Sequence, residues 1–151
     1  MTIQIQNETE LHTALNRQTA NWSVLGVKLH HYHWYVAGSP FFTLHSKFEE
    51  LYKEAANYVD VLAERLLAIG GQPASTMKQY LSLSTLQEGQ GGEDAKEMVA
   101  QLVKDFVTVA EELKSAIAQA EDLKDQPTAD LLIGIRSSVE KHTWMLNAFL
   151  G

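Results

Sequence analysis

His33 and His45 stand twelve residues apart in the stretch HYHWYVAGSPFFTLH, on either side of a helix-breaking Gly-Ser-Pro. Glu49 follows, and then Asp60 and Glu64, four residues apart in DVLAERLLAIGG. Imidazoles and carboxylates together form a donor set for iron, zinc or manganese. The chain has no cysteine, which excludes disulfides, zinc-thiolate sites and thiol chemistry.

Spacing decides how these donors can meet. On a helix turning ~100° per residue, His45, Glu49, Asp60 and Glu64 lie at about 0°, 40°, 60° and 100°, on one face. Yet His45 and Asp60 are ~22 Å apart along that helix, and a metal with bonds of ~2 Å cannot join them. A single chain therefore cannot close a site with both. Two copies of the helix packed antiparallel across a two-fold axis near Lys53–Glu54 would bring His45 and Glu49 of one against Asp60 and Glu64 of the other. An isologous dimer makes that pairing twice. A tight turn at Gly38–Pro40 would fold His33 back beside His45.

Each residue also has a plainer account. Asp60 and Glu64 suit a solvated acidic face with Glu64 beside Arg65, His45 a structural histidine, and Glu49 with Glu50 ordinary surface charge. The Glu-x-x-His pairs that build a di-iron centre inside one bundle are missing, the nearest approaches being Glu8 with His12 and Glu140 with His142. His31 points ~200° away from His33. His30, one turn before His33, is a second-layer group or a surface residue, and His12 and His142 show no partner.

The elements that must position these residues read as helices nearly throughout. Asn7 is a candidate cap for a first helix with an acidic first turn (Glu8, Glu10), followed by Leu11, Leu15, Trp22, Leu25 and Leu29 at helical spacing. That helix stops near Gly38. Ser39 and Pro40 read as an N-cap and first helical position for a second helix. It runs to Gly70-Gly71, with Pro73 just beyond. Residues 72–92 form a long connection, with a short helix over Thr76–Leu83 and a loop at EGQGGED. A third helix covers about Asp94–Leu123, and Asp125-Gln-Pro127 opens a fourth that reaches Phe149. Four long helices with one long crossover predict an all-α, ferritin-like four-helix bundle carrying a short extra helix between helices two and three. Residues 1–151 make one domain, without repeats or low-complexity segments.

The net charge is −7, and no basic cluster or tail offers a phosphate-binding surface. Acidic balance suits a soluble cytoplasmic protein, or one that attracts cations. No run approaches the ~18–20 apolar residues of a membrane span, and MTIQIQNETE lacks the basic-then-apolar pattern of a secretory signal.

The run His33-Trp34, His45, Asp60 and Glu64 within DVLAERLLAIGGQP resembles the Dps family, the dodecameric mini-ferritins. The likeness extends in length and helix order to KHTWMLNAFL, and is greatest to the non-DNA-binding members of Gram-positive bacteria. The resemblance implies a hollow shell of twelve subunits built from two-fold dimers, with ferroxidase centres at the dimer interfaces. It assigns His33, His45, Asp60 and Glu64 as ligands, and places Glu49 where the family usually has a shorter Asp. Trp34 matches a residue thought to accept oxidising equivalents, with core packing as its plain alternative. The substrates implied are Fe(II) and, preferentially, hydrogen peroxide; iron is the only cofactor, with no organic one. Iron entry in the family uses acidic pores, for which Glu121, Asp122, Asp125 and Asp130 are the local candidates, or else an acidic loop and helix N-terminus.

Three functions are thus separable: an iron-storing, detoxifying ferroxidase cage; a DNA-binding protein that shields the nucleoid, opposed by the charge; and an oligomer in which zinc merely braces the interface.

Overall fold

The computed structural model describes residues 3–151; Met1 and Thr2, part of the N-terminal stretch read above for a leader, lie outside the described residues. Helix α1 spans Ile3–Tyr35, α2 Phe41–Ala68, α3 Met77–Leu83, α4 Ala95–Asp122 and α5 Gln126–Leu150. Among the described residues there is no strand, and no helix is long and apolar enough to cross a membrane. Helices α1 and α2 pair as one hairpin and α4 and α5 as another, with α1 also against α3 and α4. The core between them holds Leu15, Leu25, Leu29, Phe48, Leu62, Leu102, Phe106 and Leu132, nearly all fully buried.

The helix ends are written in local chemistry. Thr76 with Gln79 and Asp94 with Glu97 form complete capping boxes, each satisfying two otherwise orphaned donors. Asp125 caps α5, its side chain accepting from the Thr128 N–H. Helix α2 ends in a Schellman arrangement: the Gly70 N–H donates to Leu67 O at 3.1 Å and the Gly71 N–H to Leu66 O at 2.8 Å. Gly70 takes φ +89°, and a Cβ on Gly71 would collide with the Leu66 side chain, so both glycines are required for different reasons.

Two predicted caps are displaced. Helix α1 already runs from Ile3, so Asn7 lies inside it rather than at its cap. At α2 the cap position falls on Pro40, not Ser39, and no side chain caps it. The reason is the turn, with Gly38 at φ +92°, where the Phe41 N–H donates to Gly38 O at 3.1 Å. Proline lacks an N–H, so the first turn has one fewer donor to satisfy.

The path of the crossover follows from polar side chains on α1. Asn16 binds both Gln72 O and the Ala74 N–H. Asn21 accepts from the Thr85 N–H at 2.9 Å and donates to Glu112 on α4 at 2.8 Å. The buried Lys28 donates to Gln87 O at 2.9 Å and Asp105 on α4 at 2.8 Å, and the Tyr32 hydroxyl donates to Glu93 at 3.0 Å. Residues 72–93 therefore climb α1 from Asn16 to Tyr32. The chain returns to the end of the bundle where α1 finished, and α4 descends antiparallel to α1. This is the ferritin-like layout expected.

Candidate metal centre

The turn at Gly38–Pro40 sets the end of α1 beside the start of α2, and two histidines meet there. His33 Nδ1 donates to His45 O at 2.6 Å, and His45 Nδ1 donates to His33 O at 2.7 Å. A carbonyl can only accept, so each Nδ1 carries a proton, and in the neutral imidazole each Nε2 then keeps its lone pair. The rings stack at 3.7 Å with 13° between planes. Phe41 stacks on the outer face of this pair, 4.8 Å from His45, and Tyr52 meets His33 edge-on at 5.3 Å. The pair is thus held rigid, with one free nitrogen on each ring. Such a pair fits a divalent metal by donor chemistry and tautomer alike.

The acidic partners are elsewhere. Asp60 and Glu64 sit exposed on α2, about four and five turns beyond His45 by helix rise, and neither side chain has a hydrogen bond or ion pair to another described residue. Arg65 does not serve Glu64. It reaches across to α5, binding Asp125 at 3.1 Å and Thr128 at 2.8 Å. Among the described residues no three His, Asp or Glu side chains of one chain gather around a common point. Glu49 lies one turn beyond His45 and is engaged by Lys53 at 3.4 Å and by the Tyr52 hydroxyl at 3.4 Å. The Lys53 ammonium is the main cause holding this carboxyl below the usual range.

Trp34 is 68% exposed, so core packing within the subunit is not its role; its ring neighbour is His30 at 5.4 Å. Of the candidate pore residues, Glu121, Asp122 and Asp130 are exposed. Asp125 is committed to the α5 cap and to Arg65. Burial pushes its carboxyl up, but Thr128 and the Arg65 charge outweigh that and hold it below the usual range.

Residues 12–151 match the ferritin-like domain family. General stress protein 20U of Bacillus subtilis is 52% identical over 142 residues, covering 94% of this chain and 98% of that protein. DNA protection during starvation protein 2 of Bacillus anthracis is 54% identical over 136 residues, covering 90% and 93%. The crystal structure of a Dps protein from Bacillus brevis superposes with a TM-score of 0.96 at 50% identity, covering 100% of both chains. This chain belongs to the Dps family of ferritin-like proteins. In this Dps chain the helix order, the long crossover and the short α3 all agree with that membership.

The Dps bundle also holds a polar cluster that the sequence reading missed. His142, read as partnerless, donates from Nε2 to Glu54 at 2.7 Å, while Ser138 at 2.5 Å and the Tyr58 hydroxyl donate to the other Glu54 oxygen. Burial pushes the Glu54 carboxyl up, but the three donors win and bring it to about 2. Glu54 with Tyr58, and Ser138 with His142, are i, i+4 pairs, each placing two polar groups on one helix face. That was the available signal; which face met which required the packing of α2 on α5. Tyr52 was missed as well. It stacks on His30 at 3.8 Å while meeting His33 edge-on, so His30 joins the centre through an aromatic ring rather than by binding a ligand.

Proposed function

We propose that this protein oxidises Fe(II), with hydrogen peroxide as the preferred oxidant, at sites shared between two subunits, and stores the ferric product in a hollow twelve-subunit shell in the cytoplasm. His33 and His45 of one chain, with Asp60 and Glu64 of the partner subunit, hold the metal, and Glu49 adds charge beside it. The observation that carries this reading is the reciprocal histidine pair. Among the described residues, two imidazoles locked with free Nε2 atoms have no carboxylate hydrogen-bonded to them, while two unpartnered carboxylates stand exposed further along α2.

The surface beside those carboxylates supports a second copy as the completing partner. Val59, adjacent to Asp60, borders a cavity of about 640 Å³ that is also lined by Val27, Met77 and Leu81. These three side chains are largely exposed, and contiguous apolar surface of this kind favours an isologous contact.

Chemically, neutral imidazoles and carboxylates bind Fe(II) while leaving positions open to oxidant. The carboxylates then favour the more highly charged Fe(III), drawing the reaction forward. Consuming Fe(II) and peroxide together removes the reagents of oxidative damage, which accords with relatives called stress and DNA-protection proteins. Stopped-flow absorbance after mixing Fe(II) and peroxide tests the assignment. Asp60→Ala with Glu64→Ala should slow ferric formation by more than about tenfold; an unchanged rate would refute the ligand set.

Protection by direct DNA binding is the alternative that the relatives' names favour. The −7 charge opposes it. In a low-salt gel-shift with iron-free protein, free DNA should remain unshifted.

A further inference from the structure

His45 is held at one point and between two rings. Its Nδ1 donates to His33 O at 2.7 Å. The χ2 torsion of a histidine is soft, so one hydrogen bond at Nδ1 fixes that atom and leaves the ring free to swing about it, carrying Nε2 with it. Stacking is what limits the swing. His33 lies on one face of the ring at 3.7 Å, 13° from parallel, and Phe41 on the other at 4.8 Å, 22° from parallel. Phe41 and His45 are i, i+4 neighbours on α2, which puts the phenyl and the imidazole on one side of the helix. Phe41 is itself anchored. It is the first residue of α2, its N–H donates to Gly38 O at 3.1 Å, and its side chain packs against the core. Phe42 adds an edge contact from outside, ring to ring at 5.3 Å. The outer wall of the histidine pair is thus built into the same turn that brings the two histidines together.

We propose that Phe41 is a positioning residue for the metal centre, its flat ring holding the His45 imidazole in its binding orientation before any metal arrives. This deepens the iron-site reading above and rests on it. The phenyl ring carries no donor atom, so it acts through His45 alone. Ordering the imidazole in advance removes a cost that would otherwise fall due when the metal binds. That cost weighs equally on the bound ion and on the transition state for its oxidation. Phe41 should therefore govern KM for Fe(II) and leave kcat nearly unchanged. Leucine in its place keeps apolar volume but offers no flat face, whereas tyrosine keeps the face.

The test is titration of the assembled protein with Co(II), followed by visible absorption. Phe41→Leu should bind Co(II) about tenfold more weakly than wild type, with its urea-unfolding midpoint and sedimentation coefficient unchanged. Phe41→Tyr should bind as tightly as wild type. In Fe(II) oxidation, Phe41→Leu should raise KM about tenfold and keep kcat within about twofold of wild type. Crystals of metal-free Phe41→Leu should show the His45 ring out of its stack with His33. Equal Co(II) affinity in wild type and Phe41→Leu would overturn the proposal. So would Phe41→Tyr binding as weakly as Phe41→Leu, or weakened binding accompanied by lost assembly or stability, since Phe41 would then be a merely structural residue. Co(II) binding that survives His33→Ala combined with His45→Ala would instead refute the histidine site, and this proposal with it.

Discussion

His33 and His45 each use one nitrogen to hold the other's backbone, so neither ring can rotate without breaking its hydrogen bond and the ring stack. Replacing His33 with alanine thus removes a donor and also strips His45 of its stacking partner, although the residue 33 carbonyl still accepts from His45 Nδ1. The two losses should be non-additive: the His33→Ala and His45→Ala variants should each be about as impaired as the double variant in Fe(II) oxidation. The Glu54–His142 pair makes a separate prediction about stability. His142→Ala should cost about 2 kcal/mol in urea unfolding, because it leaves a half-buried carboxylate short of a donor. The Glu54 carboxyl sits near 2 rather than the usual 4.5. Its contribution is therefore whole above about pH 4.5 and is lost as pH falls toward 2, so wild type and His142→Ala should converge in stability over that acid range. Of these residues the sequence displayed the proposed metal ligands, because two histidines bracketing a turn and two acids at i, i+4 are local patterns. Glu54 and His142 lie 88 residues apart on different helices, and no periodicity links them.

At the scale of the elements, α1 guides the crossover with polar side chains inside an otherwise apolar helix. Asn21 is the central one, fully buried and joining the Ser84-Thr85 turn to α4. Asn21→Ala should destabilise the fold by about 2 kcal/mol. It should also speed amide exchange at Thr85 and its neighbours more than in the α1–α2 hairpin, which hydrogen-exchange mass spectrometry would read directly. The existence and order of the helices, including the short one after Thr76, were legible because capping boxes and Gly-Gly stops are encoded within a few residues. The two displaced caps show the limit of such signals. Asn7 has the right side chain for a cap, but the helix extends past it. Ser39 yields to a backbone hydrogen bond that closes the turn without it. The crossover's course was not legible, since it depends on contacts between residues 56 or more apart.

For the whole molecule, the helix rise between His45 and Asp60 makes assembly a condition of the proposed shared site. Leu81 is more than half exposed on α3 and lines the cavity that Val59, the chain neighbour of Asp60, also borders. Leu81→Glu should leave each subunit folded by circular dichroism, while sedimentation shows a smaller species and Fe(II) oxidation falls with it. Activity retained in a monomer would be incompatible with a shared site. The most direct measurement mixes two inactive proteins. One carries His33→Ala and His45→Ala, the other Asp60→Ala and Glu64→Ala, and equal amounts are unfolded, mixed and reassembled. Where one chain supplies histidines and the other carboxylates, about one quarter of the sites in a random mixture are complete. Ferric formation should therefore return to about one quarter of the wild-type rate. A mixture as inactive as its two components would mean that the site lies within one subunit, contradicting the account.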